Sequence, residues 1–112
     1  METPDTDWFA VRCVFEVGSD DRTGSRTATY EERVTLWQVH TFDEAIECAE
    51  ADAGTYAETV GSRFLGLSQA YQLAETPGHG AEVFSLMRDS KLAASDYLSR
   101  FFDTGAERQG AR

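Results

Sequence analysis

Apolar residues recur along this chain at two different periods, and the change from one to the other divides it into elements. From Trp8 to Val17 (WFAVRCVFEV) the alternation is strict. Phe9, Val11, Cys13, Phe15 and Val17 make one wholly apolar face, while Trp8, Ala10, Arg12, Val14 and Glu16 make a mixed one, the signature of a strand. Thr27 to His40 reads as a second strand, rich in β-branched and aromatic residues. Its Tyr30, Val34 and Leu36 are expected inward, with Glu31, Arg33, Thr35, Trp37 and Val39 on the other side. Between the two lies GSDDRTGSR, residues 18–26, a polar loop too long for a tight hairpin and expected to be mobile.

From Thr41 to Val60 the period lengthens. Ile46, Ala49, Ala53, Tyr56 and Val60 follow one another at steps of three and four, which stacks them on one helical stripe. The rest of the circumference carries Asp43, Glu44, Glu47, Glu50, Asp52 and Glu58 without a basic residue. Thr41 and Glu44 have the spacing of a capping box, the early acids suit the helix dipole, and Gly61 supplies a stop. Gly54 weakens the middle by roughly 1 kcal/mol relative to alanine.

Beyond the helix, Arg63 to Ala74 alternates again, placing Leu65, Leu67, Tyr71 and Leu73 on one face, and Gly66 marks a bulge or a close backbone approach. ETPGHG turns the chain, Glu82 to Arg88 is expected to return as a fourth strand, and Ala93 to Phe102 forms a short helix capped by Ser95 or Ser90. Tyr97, Leu98, Phe101 and Phe102 give that helix an apolar side, and Gly105 stops it.

The order ββαββα predicts an α+β fold: a four-stranded antiparallel sheet with one long amphipathic helix on a face and a short C-terminal helix. One domain is expected over residues 8–109, with flexible termini at 1–7 and 110–112. The sheet face away from the long helix is expected to carry Trp8, Val14, Trp37, Val39 and Phe64, with Met87, among the charges of Arg12, Glu16, Glu31 and Arg33. Side chains of that size are worth roughly 1.5–3 kcal/mol each when buried, so either the C-terminal helix or a second subunit should cover them.

Composition narrows the partners. The chain has 112 residues, 41% of them hydrophobic, enough for a core without staples. Its formal charge of −10 repels nucleic-acid backbones and anionic membranes and would draw in a basic protein. Cys13 and Cys48 fall within elements rather than in a disulfide framework. No apolar run approaches membrane-spanning length, and METPDTD is unlike a signal peptide, so a cytoplasmic protein is expected.

Candidate chemistry is sparse. His40 and His79 have no ligand partners at metal spacing, and the scattered glycines form neither a phosphate loop nor a dinucleotide fingerprint, so no metal and no cofactor are expected. No nucleophile elbow is present. Glu31 and Glu32 could do acid–base work in a cleft, but a cross-strand ion-pair ladder with Arg12, Glu16 and Arg33 is the plainer reading. The acidic helix surface of Glu44, Glu47 and Glu50 could dock a basic protein or serve only as a solvated face.

Several segments together are familiar. YEERVTLW, FLGLSQAYQL, EVFSLMRDS and RFFDTGAERQ, with WFAVRCVFEV, resemble a family of small bacterial proteins known only as a domain of unknown function. The resemblance covers Trp8 to Gln109 and implies one small cytoplasmic domain. It implies no activity for any residue.

The leading expectation is a non-enzymatic interaction or accessory protein, immunity- or inhibitor-like in one form, and able to form a homodimer through its aromatic sheet face. The alternative is a small enzyme or ligand-binding domain with a pocket between sheet and helices lined by Arg12, Glu31, Arg33 and Tyr71.

Overall fold

The first two alternating segments pair as a long antiparallel hairpin, β1 (Asp7–Asp20) with β2 (Thr27–Val39). The computed structural model describes residues 5–20 and 27–109, with the side chains of 19, 20 and 27 outside that description. The flexibility expected of 1–4 and 110–112 and the mobility expected of 21–26 therefore lie outside the described residues. β1 runs past its expected end at Val17 to Asp20, paired with Thr27, so Gly18 to Asp20 belong to the strand and not to the polar loop. Asp7, expected in a flexible terminus, begins β1 and accepts a hydrogen bond from the Gln72 amide at 3.0 Å.

After β2 the chain enters α1 (Phe42–Val60), passes over the sheet, and returns as β3 (Arg63–Gln72) on the far side of β1. The sheet has three strands in the order β2-β1-β3, with β1 antiparallel to both neighbours. A short helix, α2 (Ala94–Phe101), follows a long irregular stretch.

The fold is thus α+β, but the expected fourth strand does not form. Glu82 to Arg88 has strand-like composition, yet it pairs with no described strand. Strand propensity reports how side chains fit a pleated surface, and a ladder also needs a neighbour in register. Here only the start of the segment rests on the sheet. Phe84 packs its ring 5.9 Å from that of Tyr71 and beneath the Arg12 guanidinium at 5.2 Å, holding the chain over the face.

The core lies between α1 and β1. Phe9, Val11, Cys13 and Phe15 are all buried against Ala45, Ala49, Ala53 and Ala57, a stripe of alanines four residues apart. Of the expected stripe of Ile46, Ala49, Ala53, Tyr56 and Val60, Ala49 and Ala53 lie on this line, Tyr56 packs beside it and Val60 is half exposed. Small side chains at the line of closest approach let the helix settle onto the large residues of β1, so volume resides in the sheet and not in the helix.

The cap of α1 forms as its sequence requires. Thr41 Oγ1 accepts from the Glu44 backbone N–H at 3.1 Å, while Glu44 reaches back to accept from the His40 backbone N–H at 2.7 Å. Gly61 ends the helix at φ 73°, a left-handed conformation that suits glycine. The His40 N–H bond, with the His40 ring beside it, holds the Glu44 carboxyl below its ordinary 4.5. A depressed carboxyl supports the folded state above its ordinary value, and that support is lost as pH falls through the lowered one. Thr41→Ala should therefore cost about 1 kcal/mol, read as a lower urea midpoint with an unchanged slope. Thr41→Ser should cost much less; equal losses would show that the hydroxyl does not cap.

By contrast, α2 begins at Ala93 without a side-chain cap. Ser90, one of the two expected caps, instead accepts from the Leu92 N–H at 3.1 Å.

Candidate interaction surface

Register decides what each sheet face presents. Phe9 lies opposite Trp37, Val11 opposite Thr35, Cys13 opposite Arg33 and Phe15 opposite Glu31. Trp37 and Val39 therefore lie beneath α1 with Phe9, and both pack on the core. Across the other edge Phe15 meets Phe64 and Val11 meets Ala70, which places Phe64 under the helix too.

This corrects the expected open face. Of Trp8, Val14, Trp37, Val39 and Phe64, only Trp8 and Val14 point away from α1. A strand's side chains alternate with period two, so the wrong parity reverses a whole strand, and that happened at both β2 and β3. Tyr30, Val34 and Leu36, expected inward, stand on the open face at 58%, 44% and 40% exposure. Leu65 and Leu67 join them at 37% and 50%. These two flank Gly66, which at φ 85° sits in a bulge where Leu65, Gly66 and Leu67 face the single residue Val14.

Polar groups on this face are mutually paired. The Arg12 Nε donates to Gln69 Oε1 at 3.1 Å, and its guanidinium lies 3.4 Å from Glu32. At the far end Arg63 Nε donates to Glu16 at 3.2 Å. Of the expected cross-strand ladder between β1 and β2 only the Arg12–Glu32 rung forms; Glu16 pairs with Arg63 of β3, and Arg33 and Glu31 turn to α1. Tyr71 donates its hydroxyl proton to Glu82, so the chain returning after β3 is tied to the face by Glu82 and Phe84 together.

The four residues expected to line a pocket divide between the faces. Arg12 and Tyr71 stand on the open side. Glu31 and Arg33 stand on the helix side, where Tyr56 donates to Glu31 at 2.7 Å and Arg33 pairs with Asp52 at 2.9 Å across to α1. The Arg33 guanidinium also covers the Tyr56 ring at 4.0 Å. These contacts clamp one end of the helix to the sheet and gather no common site. A separate groove of about 220 Å³, lined in part by Asp7, Trp8, Gln38 and Leu73, contains none of the four. It is smaller than the roughly 300–1,000 Å³ usual for a small-molecule site.

The acidic helix surface is partly committed to the fold. Glu44 serves the cap, and Glu50 accepts from the Ser68 hydroxyl at 2.9 Å, leaving Glu47 of the three facing outward. Ser68 in turn lies 3.8 Å from the Cys13 sulfur. Burial pushes the Cys13 thiol above its ordinary value, so at neutral pH it is a protonated core residue rather than a nucleophile. Among the described residues, no cluster of His, Cys, Asp and Glu is gathered for a metal, and no helix is long and apolar enough to cross a membrane.

The feature that sequence reasoning missed is the arm that follows Phe84. Val83, Leu86 and Met87 are exposed, Met87 at 94%, and so are Leu92, Leu98, Phe101 and Phe102. α2 buries no residue and approaches neither the sheet nor α1. The arm nevertheless has internal order. Arg88 donates to the Tyr97 hydroxyl at 2.8 Å and lies over the Phe101 ring at 4.2 Å, while Glu107 accepts from the Thr104 N–H at 2.9 Å. Its apolar helical spacing was legible, but whether it docked was not. Comparison with protein-family models, curated proteins and solved structures returns no match, so residues and geometry alone carry the functional reading.

Proposed function

We propose that this protein acts by protein–protein contact and not by catalysis. The observation that carries the reading is the set of exposed apolar side chains on the open sheet face, Tyr30, Val34 and Leu36 on β2 and Leu65 and Leu67 on β3, accompanied by an arm of exposed Leu, Met and Phe. Exposed apolar side chains gathered in this way mark an interaction site. The Arg12–Glu32 and Arg63–Glu16 pairs lie among these residues, and each neutralises its own charge within the face. An acidic helix surface reduced to Glu47 and its uncommitted neighbours supports a basic-partner reading less well.

Immobilised protein should retain a polypeptide, whether another copy or a different protein, identified by mass spectrometry. Val34→Asp combined with Leu67→Asp should abolish retention while leaving the unfolding free energy within about 0.5 kcal/mol of native, as befits exposed positions. Equal retention by native and variant protein would overturn the assignment of this face.

A further inference from the structure

We propose that the occupant of the open sheet face is the C-terminal arm of a second copy of this chain, the two copies exchanging arms around a two-fold axis. The inference rests on the interaction reading above and names its partner.

Two apolar surfaces on one molecule lack cover, and the chain does not bring them together. The root of the arm is fixed on the face by Phe84 against Tyr71 and Arg12. Past that point the chain leaves, and Arg88 folds α2 back onto the arm itself through Tyr97 and Phe101. Leu98 and Phe102 are thereby left at 55% and 60% exposure on a locally built unit. The radius of gyration is 16.9 Å, whereas a compact chain of this length would have roughly 13 Å.

Charge permits the arm of a second copy as the occupant. Residues 82–112 contain five acids and five bases, so the entire −10 belongs to residues 1–81. Two bodies meeting directly would repel through the net −10 each carries, even though the ion pairs on the face itself are balanced. A neutral arm can settle on an acidic body without that repulsion. Size agrees as well. The exposed apolar side chains of arm and face amount to ~1,000 Å² per chain, and a reciprocal exchange would bury ~2,000 Å², at the upper end of the usual range for a stable interface. Reciprocity also closes the assembly, since each copy gives one arm and receives one, leaving no surface to propagate a fibre.

The test uses the full chain and two variants: Met87→Asp with Leu98→Asp on the arm, and Val34→Asp with Leu67→Asp on the face. Native protein at high micromolar concentration should sediment at twice the 12.4 kDa of one chain. Each variant alone should dissociate at least ~100-fold more readily. An equimolar mixture of the two should regain dimers, because one intact arm then meets one intact face; both variants carry aspartate, so opposite charges cannot create that rescue. Met87→Asp alone, at a position that touches little of its own chain, should also weaken the dimer without moving the unfolding midpoint. A monomeric native protein would overturn the exchange, as would a dimer indifferent to the arm substitutions or a mixture that stays monomeric. If native protein is monomeric yet still captures another polypeptide through Val34 and Leu67, self-pairing fails and the interaction reading survives. If it captures nothing, both fail.

Discussion

Phe15→Ala should cost about 3–5 kcal/mol, a large part of the roughly 5–15 kcal/mol that holds a domain of this kind together. Phe15 is fully buried in the central strand, and its ring touches two others. Tyr56 meets it edge-on at 5.2 Å and Phe64 lies at 5.5 Å. Truncation leaves a cavity bounded by the helix above and β3 beside it. The damage spreads, because Tyr56 is also the residue that Arg33 covers and that bonds to Glu31. The expected result is a fall of two molar or so in the urea midpoint, taking a slope of about 1–3 kcal/mol/M, or loss of a cooperative transition altogether. Phe15→Leu, which retains most of the volume, should recover more than half of the loss. A Phe15→Ala protein within about 1 kcal/mol of native would mean that the core is not where Phe15 lies.

The second large effect concerns two adjacent residues with opposite signs. Ala53 is 1% exposed on the line where α1 meets β1, and Ala53→Leu would drive three further carbons into a contact chosen for small side chains. The cost should be about 1–3 kcal/mol or more, since the helix must lift or the leucine must leave its rotamer wells. Gly54, the next residue, points outward, and a Cβ added there would meet nothing within 4 Å. Gly54→Ala should therefore stabilise by about 0.5–1 kcal/mol through helix propensity and a less disordered unfolded chain. Thermal unfolding of the two variants side by side checks both. Shifts of the same sign would mean that the helix is rotated relative to the sheet.

Those two neighbours also show what could be read from the sequence. Local signals survived intact: the Thr41 and Glu44 cap, the Gly61 stop, the alternation of Phe9 to Phe15 and the bulge at Gly66 are each decided within a few residues. The helix stripe was right at Ala49 and Ala53 but missed Ala45 and Ala57, because a hydrophobicity-weighted reading favours Ile46, Tyr56 and Val60 while packing selects the smallest residues for the closest approach. Faces were lost in β2 and β3 because both sides of those strands carry apolar residues. Trp37 and Val39 on one side and Val34 and Leu36 on the other look alike until β1 sets the register. The fourth strand failed for a non-local reason. Val83 and Phe84 are strand formers, but among the described residues no strand offers them a ladder. Trp37, Val39 and Phe64 were therefore assigned with the wrong parity, whereas Trp8 and Val14 stand on the open face as expected, joined there by Tyr30, Val34, Leu36, Leu65 and Leu67.

The bulge opposite Val14 holds two surplus residues rather than one, and an even number is what keeps β3 coherent. Phe64 before it and Ala70 after it still look toward the helix. Removing a single residue there would turn one half of the strand inside out, sending either Phe64 into water or Ser68 and Ala70 away from α1. Removing a pair would merely straighten the strand. Length at that point of the sheet can thus change only by twos, a counting rule imposed by the pleat itself.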